Sequence, residues 1–145
     1  MASLWHYGPV QFTVNAGEKS VLELAVPRRG TLRTLNVAQL DGGDDTGELT
    51  LFDSQDAVQA FLGDGADSVS EPGEGTDAAL CHGIAEPFTV TDGKILQTGL
   101  NLPYVNRDGT NAQPVRRLWG LLDIPAGSGQ LTFAVSMVIE QVTFR

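Results

Sequence analysis

The last thirty residues carry the pattern that most restricts how this chain can fold. Two apolar runs, residues 116–124 and 130–144, are separated by a segment with one Pro and two Gly. In the second run the large apolar residues occupy alternate positions: Leu131, Phe133, Val135, Met137 and Ile139. A period of two is typical of a strand with one buried face, and a short Pro/Gly loop joins antiparallel strands. We therefore predict an all-β protein in which these two runs form a hairpin.

Further strand signals recur along the chain at the spacing of an antiparallel sandwich. They occupy residues 10–14, 21–26, 31–40, 48–52, 88–97 and 100–105. Asp92-Gly93 lies between two alternating runs and favours a two-residue type I′ hairpin turn. The apolar spacing in 31–40 also fits a helix, but tight boundaries of glycine and acidic residues favour a strand. We predict a single antiparallel β-sandwich or jelly roll of about eight or nine strands over residues 1–145.

Three segments depart from the strand pattern. Residues 54–62 change to a helical period and predict one short helix, with Asp53 or Ser54 as its cap. Residues 63–76 are rich in Gly, Asp, Ser and Glu and predict an acidic loop longer than ordinary connections. Residues 1–9 precede the first clear strand signal, and we expect them to form an extended N-terminal segment.

Charge is distributed unevenly along the sequence. The net charge is −9, and no Lys or Arg occurs between Thr34 and Gly93. Such an acidic chain repels phosphate backbones, so nucleic-acid binding is disfavoured. The bases lie outside this window and include the pairs Arg28-Arg29 and Arg116-Arg117. The asymmetry is interpreted either as a solvated face or as a charge dipole that orients the protein against a complementary partner.

Cysteine content and hydropathy indicate the cellular compartment in which we expect the protein. Cys81 is the single cysteine, so no disulfide can form within the chain. The N-terminus lacks the basic and apolar regions of a signal peptide, and no apolar run approaches the roughly 20 residues of a membrane span. We expect a soluble protein that is made in the cytoplasm and does not enter a membrane.

The residue types of common active sites are scarce. His6 and His82 are the only histidines, and adjacent Cys81 and His82 would point to opposite faces of a strand. The G-x-S-x-G pattern of serine hydrolases is absent. Oxygen-rich loops at 41–45, 64–67 and 106–111 do not match the EF-hand calcium loop; Asx turns explain them without metal, and calcium binding is the alternative. We predict no enzyme activity, no catalytic residue, no cofactor and no metal site.

Aromatic residues and the chain end suggest contact surfaces. Trp5 and Tyr7 share one side of the N-terminal segment, where they would dock on the body, on a neighbour or on a sugar. Trp119 lies in an apolar run and is expected in the core. The final run changes phase, because Val142 and Phe144 are even-numbered whereas the earlier apolar positions are odd. This change predicts a bulge near Glu140 or an end that packs on another subunit.

Residues 88–144 contain four features in order: the Asp-Gly polar loop, the run Arg-x-Leu-Trp-Gly-Leu-Leu, a Gly turn and the final alternating run. This arrangement resembles the jelly-roll head decoration (cement) proteins of tailed bacteriophages. The resemblance implies a homotrimer on the outside of an assembled capsid, made in the host cytoplasm, that binds the major capsid protein and stabilises the shell. A carbohydrate-binding or host-adhesion module is the alternative. The candidate subunit or capsid contacts are Trp5, Tyr7, Arg28, Arg29, Val142 and Phe144.

Overall fold

The computed structural model describes residues 2–40, 45–55, 58–59, 87–109 and 112–142. These residues form nine antiparallel strands, which confirms the all-β prediction. The strands are β1 (Ala2–Asn15), β2 (Lys19–Leu24), β3 (Arg29–Gln39), β4 (Gly47–Phe52), β5 (Pro87–Val90), β6 (Lys94–Gln97), β7 (Leu102–Val105), β8 (Leu118–Asp123) and β9 (Gln130–Val142).

The strands divide between two sheets. The first sheet has the order β1-β9-β3-β6, with β7 also paired to β3, and the second has the order β2-β8-β4-β5. Apart from the additional short β7, this is the strand order of a jelly roll. A turn at residues 16–18 joins β1 to β2, so the edge strands of the two sheets lie on the same side of the sandwich.

The inner faces of both sheets meet in one apolar core. All five alternating residues of β9 are buried there, as their spacing predicts. Fully burying a side chain of this size contributes roughly 1.5–3 kcal/mol. The largest fully buried side chains come from both sheets and include Leu24, Leu32, Leu35, Leu49, Phe52, Leu118, Leu122 and Phe133.

The predicted terminal hairpin is wrong. Both runs are strands, but β8 lies in the second sheet between β2 and β4, whereas β9 lies in the first sheet between β1 and β3. Their connection therefore crosses between the sheets. Alternation along a strand reports which face is buried, and it carries no information about which strand supplies the hydrogen bonds.

The Asp92-Gly93 turn has the backbone that its sequence predicts. Both residues have positive φ, 52° and 73°, and Thr91 pairs with Lys94 across the turn. The strands diverge immediately afterwards, because β5 pairs with β4 in the second sheet and β6 pairs with β3 in the first. The turn is thus a corner between the two sheets.

Two bulges set which side chains face the core. In β1, Tyr7 pairs with Met137 and Val10 with Val135, so Gly8 and Pro9 together oppose one residue of β9. Gly8 has φ 81°, and a Cβ at this position would collide with the carbonyl oxygen of Val135. The additional residue reverses the face of every side chain before it. Residues 2–9 are consequently the first half of a long strand, with Tyr7 inward.

The second bulge lies in β3, opposite the part of β9 where the sequence predicts one. In β3, Leu32 pairs with Ile139 and Thr34 with Val138, which leaves Arg33 as the additional residue. It also explains the helix-like spacing from Leu32 to Leu35 in a segment that is a strand, as predicted. The strand β9 keeps a regular register with β1 from Met137 to Val142, so the bulge predicted in β9 near Glu140 is wrong. The alternative, an end that packs on another subunit, remains a prediction.

Several predicted features fall outside the described residues. The acidic loop at 63–76 and Phe144 lie there entirely, and the helix at 54–62 does so for the most part. In the described part of that segment, the backbone N–H of Val58 donates to the carbonyl of Ser54 over 3.3 Å. Those predictions remain predictions.

Candidate binding groove

A groove opens at the end of the sandwich where β1 begins and where β2 and β9 end. Its cavity volume is about 540 Å³, within the range of small-molecule pockets. We call it the arginine groove, and its lining residues are Trp5, Ala25, Val26, Pro27, Arg28, Arg29, Pro114, Arg116 and Gln141.

The bulge in β1 brings Trp5 into this groove. Trp5 and Tyr7 share the inward face of β1, but the core closes only over Tyr7, which is 7% exposed. Burial raises the pKa of the Tyr7 hydroxyl, while a hydrogen bond from the backbone of Ala25 partly offsets the effect. Trp5 lies beyond the end of the core and remains 45% exposed. Its indole therefore forms an apolar, accessible wall.

Hydrogen bonds from one segment fix the backbone that carries Arg28 and Arg29. The Tyr104 hydroxyl donates to the carbonyl of Pro27 over 2.7 Å, and the N–H of Asn106 donates to the carbonyl of Arg28 over 2.7 Å. Arg29 pairs with Val105 at the start of β3. Burial raises the pKa of Tyr104, which keeps its hydroxyl protonated as a donor. The two arginines thus project from a rigid backbone.

The same Asn106 also holds the segment that carries the third arginine. Its side-chain amide donates to the carbonyl of Arg117 over 2.8 Å, and its carbonyl oxygen accepts from the N–H of Asp108 over 2.8 Å. The second contact is the Asx turn that the sequence predicts. Asn106 is fully buried. The backbone N–H of Asn106 therefore holds the Arg28 side of the groove, while its side chain holds the segment that carries Arg116.

The Trp119 indole completes this support. Trp119 is buried, as predicted, and donates to an oxygen of Asp108 over 2.8 Å. The guanidinium of Arg117 lies 5.4 Å from the centre of the indole ring, a cation–π distance, and also contacts Glu23 over 3.4 Å. Arg117 is consequently held away from the groove, whereas Arg116 lines it.

The groove is strongly basic within an acidic chain. Arg29 and Arg116 are exposed, and neither is paired with an acid that the structure describes. The nearby acids are engaged elsewhere, because Glu140 binds Arg33 and Glu23 binds Arg117. Guanidinium groups bind carboxylates or phosphates through two parallel hydrogen bonds. The groove is therefore suited to an anionic group that also presents apolar surface to Trp5.

The opposite end of the sandwich carries acidic side chains. Glu48 and Asp123 pair across β4 and β8 there, and the backbone of Gly93 contacts Asp45. Lys19 pairs with Asp123 on the neighbouring strand. The acids described at this end are Glu18, Asp45, Glu48, Asp92 and Asp123, against Lys19 and Lys94. The described part of the chain thus has a charge polarity along its strands.

Three of the six predicted contact residues meet in the groove: Trp5, Arg28 and Arg29. Tyr7 lies in the core instead of on the surface, because the bulge turns it inward. The backbone of Val142 pairs with Ala2, next to the groove residue Gln141.

The other six lining residues were not predicted from the sequence: Ala25, Val26, Pro27, Pro114, Arg116 and Gln141. The Arg116-Arg117 pair was a visible signal, since two adjacent bases are rare in this chain. Asn106 gave no signal beyond a turn, because its role depends on contacts with two distant segments.

No family model matches this chain, and no curated protein matches it. Among the described residues no group of three or more His, Cys, Asp or Glu side chains is arranged to hold a metal ion. In the same part of the chain, no helix has the length and apolar character needed to cross a membrane.

Proposed function

We propose that this protein is a capsid decoration protein that binds the outside of an assembled phage shell through the arginine groove and stabilises it. The observation that carries the proposal is the groove itself, where three arginines and an accessible Trp5 lie together on a chain of net charge −9. The acidic opposite end supports a fixed orientation, because a polar charge distribution steers one end toward a complementary surface. The jelly-roll strand order agrees with the resemblance found in residues 88–144.

Binding to a shell can be tested by cosedimentation with undecorated capsids assembled from the major capsid protein of the same genome. We expect the protein to pellet at a fixed ratio to the capsid protein and to raise the melting temperature of the shell. A protein that stays in the supernatant at low and at physiological salt would contradict the proposal.

Two matched double variants test whether capsid binding depends on the arginine groove. The double variant Arg29→Glu, Arg116→Glu reverses two exposed charges there, and Lys19→Glu, Lys94→Glu makes the same change in net charge at the opposite end. We expect the first to weaken capsid binding at least about tenfold and the second to leave it within about twofold. Equal losses in both variants would mean that net charge alone governs binding.

Self-association is part of the proposal. A decoration protein of this kind would form a homotrimer, and the chain end beside Gln141 is the segment that would pack on a neighbour. Light scattering should give the mass of three chains, and deletion of residues 142–145 should reduce it. An unchanged mass after the deletion would exclude a subunit contact there.

A carbohydrate-binding or host-adhesion module is the second candidate, favoured by the position of Trp5 beside Arg28 and Arg29. An aromatic face stacks on sugar rings, and guanidinium groups bind the carboxylate of an acidic sugar. A glycan array with sialylated and uronic-acid sugars tests it. Binding that Trp5→Ala abolishes, together with no capsid binding, would favour this candidate over a decoration protein.

A further inference from the structure

We propose that the outer edge of β1, from Ser3 to Tyr7, accepts an extended acidic segment of the partner as an additional strand of the first sheet. The carboxylates of that segment would enter the arginine groove. This inference deepens the proposed function and rests on it, since it specifies the chemistry of the partner segment.

The first observation is the edge itself. Within the described residues β1 pairs with β9 on one side and with no strand on the other. Its register is regular from Ser3, opposite Gln141, to Tyr7, opposite Met137, and ends at the Gly8–Pro9 bulge. Every second residue of such a strand directs its N–H and C=O away from the sheet. An extended peptide can satisfy these groups.

The second observation is that the groove opens beneath the inward faces of β1 and its neighbour β9, at the end of the sheet that contains this edge. Trp5 lines the groove from the inward face of β1, and Ala25–Pro27 line it from beyond the end of β2. A strand added to β1 would continue the first sheet over this opening. Because side chains alternate along a strand, every second side chain of the added strand would point toward Trp5 and the arginines.

The third observation is charge. The arginines select carboxylates, and apolar surface on Trp5, Pro27 and Pro114 selects a segment that is not uniformly charged. An acidic glycan or a nucleic acid would meet the guanidinium groups but could not complete the hydrogen-bond ladder of β1. The combination of a peptide edge and a basic groove therefore points to an acidic peptide that binds by strand addition.

The test uses the full chain, labelled with ¹⁵N, and an end-blocked synthetic heptapeptide of alternating Glu and Val. We expect hydrogen exchange to slow at every second backbone amide between Ser3 and Tyr7, because alternate N–H groups face the added strand. Binding without this alternation in β1 would overturn the proposal, and so would the absence of binding at millimolar peptide.

Control peptides, the two double variants and an oligonucleotide competitor test which chemical groups of the peptide are recognised. A peptide with alternate backbone nitrogens methylated, and one with Lys in place of Glu, should each bind at least about tenfold more weakly. The Arg29→Glu, Arg116→Glu variant should lose the Glu peptide, whereas Lys19→Glu, Lys94→Glu should retain it. Equal binding of the methylated peptide, or equal displacement by an oligothymidylate of the same length, would overturn strand addition in favour of simple polyanion binding.

Failure of this inference and failure of the proposed function are distinguishable. Capsid cosedimentation that depends on Arg29 and Arg116, without alternating protection in β1, would overturn strand addition and leave the decoration function standing. Alternating protection by the peptide, with no binding to any capsid of the same genome, would support the edge as a peptide site and overturn the decoration function.

Discussion

The guanidinium of Arg33 and the carboxylate of Glu140 form an ion pair at 2.7 Å, across the point where β3 carries its additional residue. Arg33 also donates to the carbonyl of Leu100 over 3.3 Å and to the side chain of Asn101 over 3.1 Å. Its own carbonyl accepts from the N–H of Leu100 over 2.9 Å. A bulged residue thus connects β9 with the segment before β7.

This ion pair should contribute little to stability. Its side chains are 39% and 29% exposed, and pairs open to solvent contribute about 0.2–1 kcal/mol. A double-mutant cycle of Arg33→Ala and Glu140→Ala, measured by urea unfolding, should give a coupling in that range that decreases with added salt. The longer Arg117–Glu23 pair is the control, with an expected coupling near zero. A coupling well above 1 kcal/mol would mean that solvent does not screen the pair.

Gly8→Ala should destabilise the fold more than Gly99→Ala. Gly8 and Gly99 both have positive φ, 81° and 66°, but only Gly8 would place a Cβ against backbone, whereas Gly99 has open space. The positive φ alone costs an Ala roughly 1–2 kcal/mol. Thermal or urea unfolding should show about this loss for Gly99→Ala and a clearly larger loss for Gly8→Ala. Equal losses would indicate that the bulge in β1 adjusts freely.

Stability should fall in alkaline solution because both tyrosines are buried. Burial raises the pKa of Tyr7 and Tyr104 above the ordinary value of 10.0. The folded state then retains protons that the unfolded state releases, so this contribution is complete below about pH 10 and is lost as pH rises through the folded-state pKa. Tyrosinate absorbance of the folded protein should appear above the ordinary range. In Tyr104→Phe, the free energy of unfolding should depend less steeply on pH above 10.

Asn106→Ala should reduce stability and loosen the arginine groove together. The change leaves the carbonyl of Arg117 and the N–H of Asp108 without their buried partner, at a cost of about 1–3 kcal/mol. Hydrogen exchange should accelerate in residues 26–29 and 114–118, which flank the groove. Gln97→Ala, at an exposed position at the end of β6, is the comparison variant. A loss of stability without faster exchange at the groove would remove Asn106 from its positioning role.

The pairing of the strands in the jelly roll could not be predicted from local sequence patterns. Alternation in β9 and the turn at Asp92-Gly93 were read correctly, yet β8 and β9 belong to different sheets, as do β5 and β6. A turn sequence specifies backbone dihedral angles over a few residues. The partner of each strand depends on how the apolar faces of all nine strands are buried together, and this is a property of the whole chain.

The groove shows the same division between local sequence pattern and tertiary contacts. The all-β class, the strands and the supply of arginines and aromatic residues follow from the sequence alone, because they depend on residue type and local period. The faces of Trp5, toward the groove, and Tyr7, toward the core, are set by the bulge at Gly8–Pro9, which local pattern does not reveal. The tertiary structure also brought Arg29 and Arg116, distant in sequence, to one site through contacts made by Asn106.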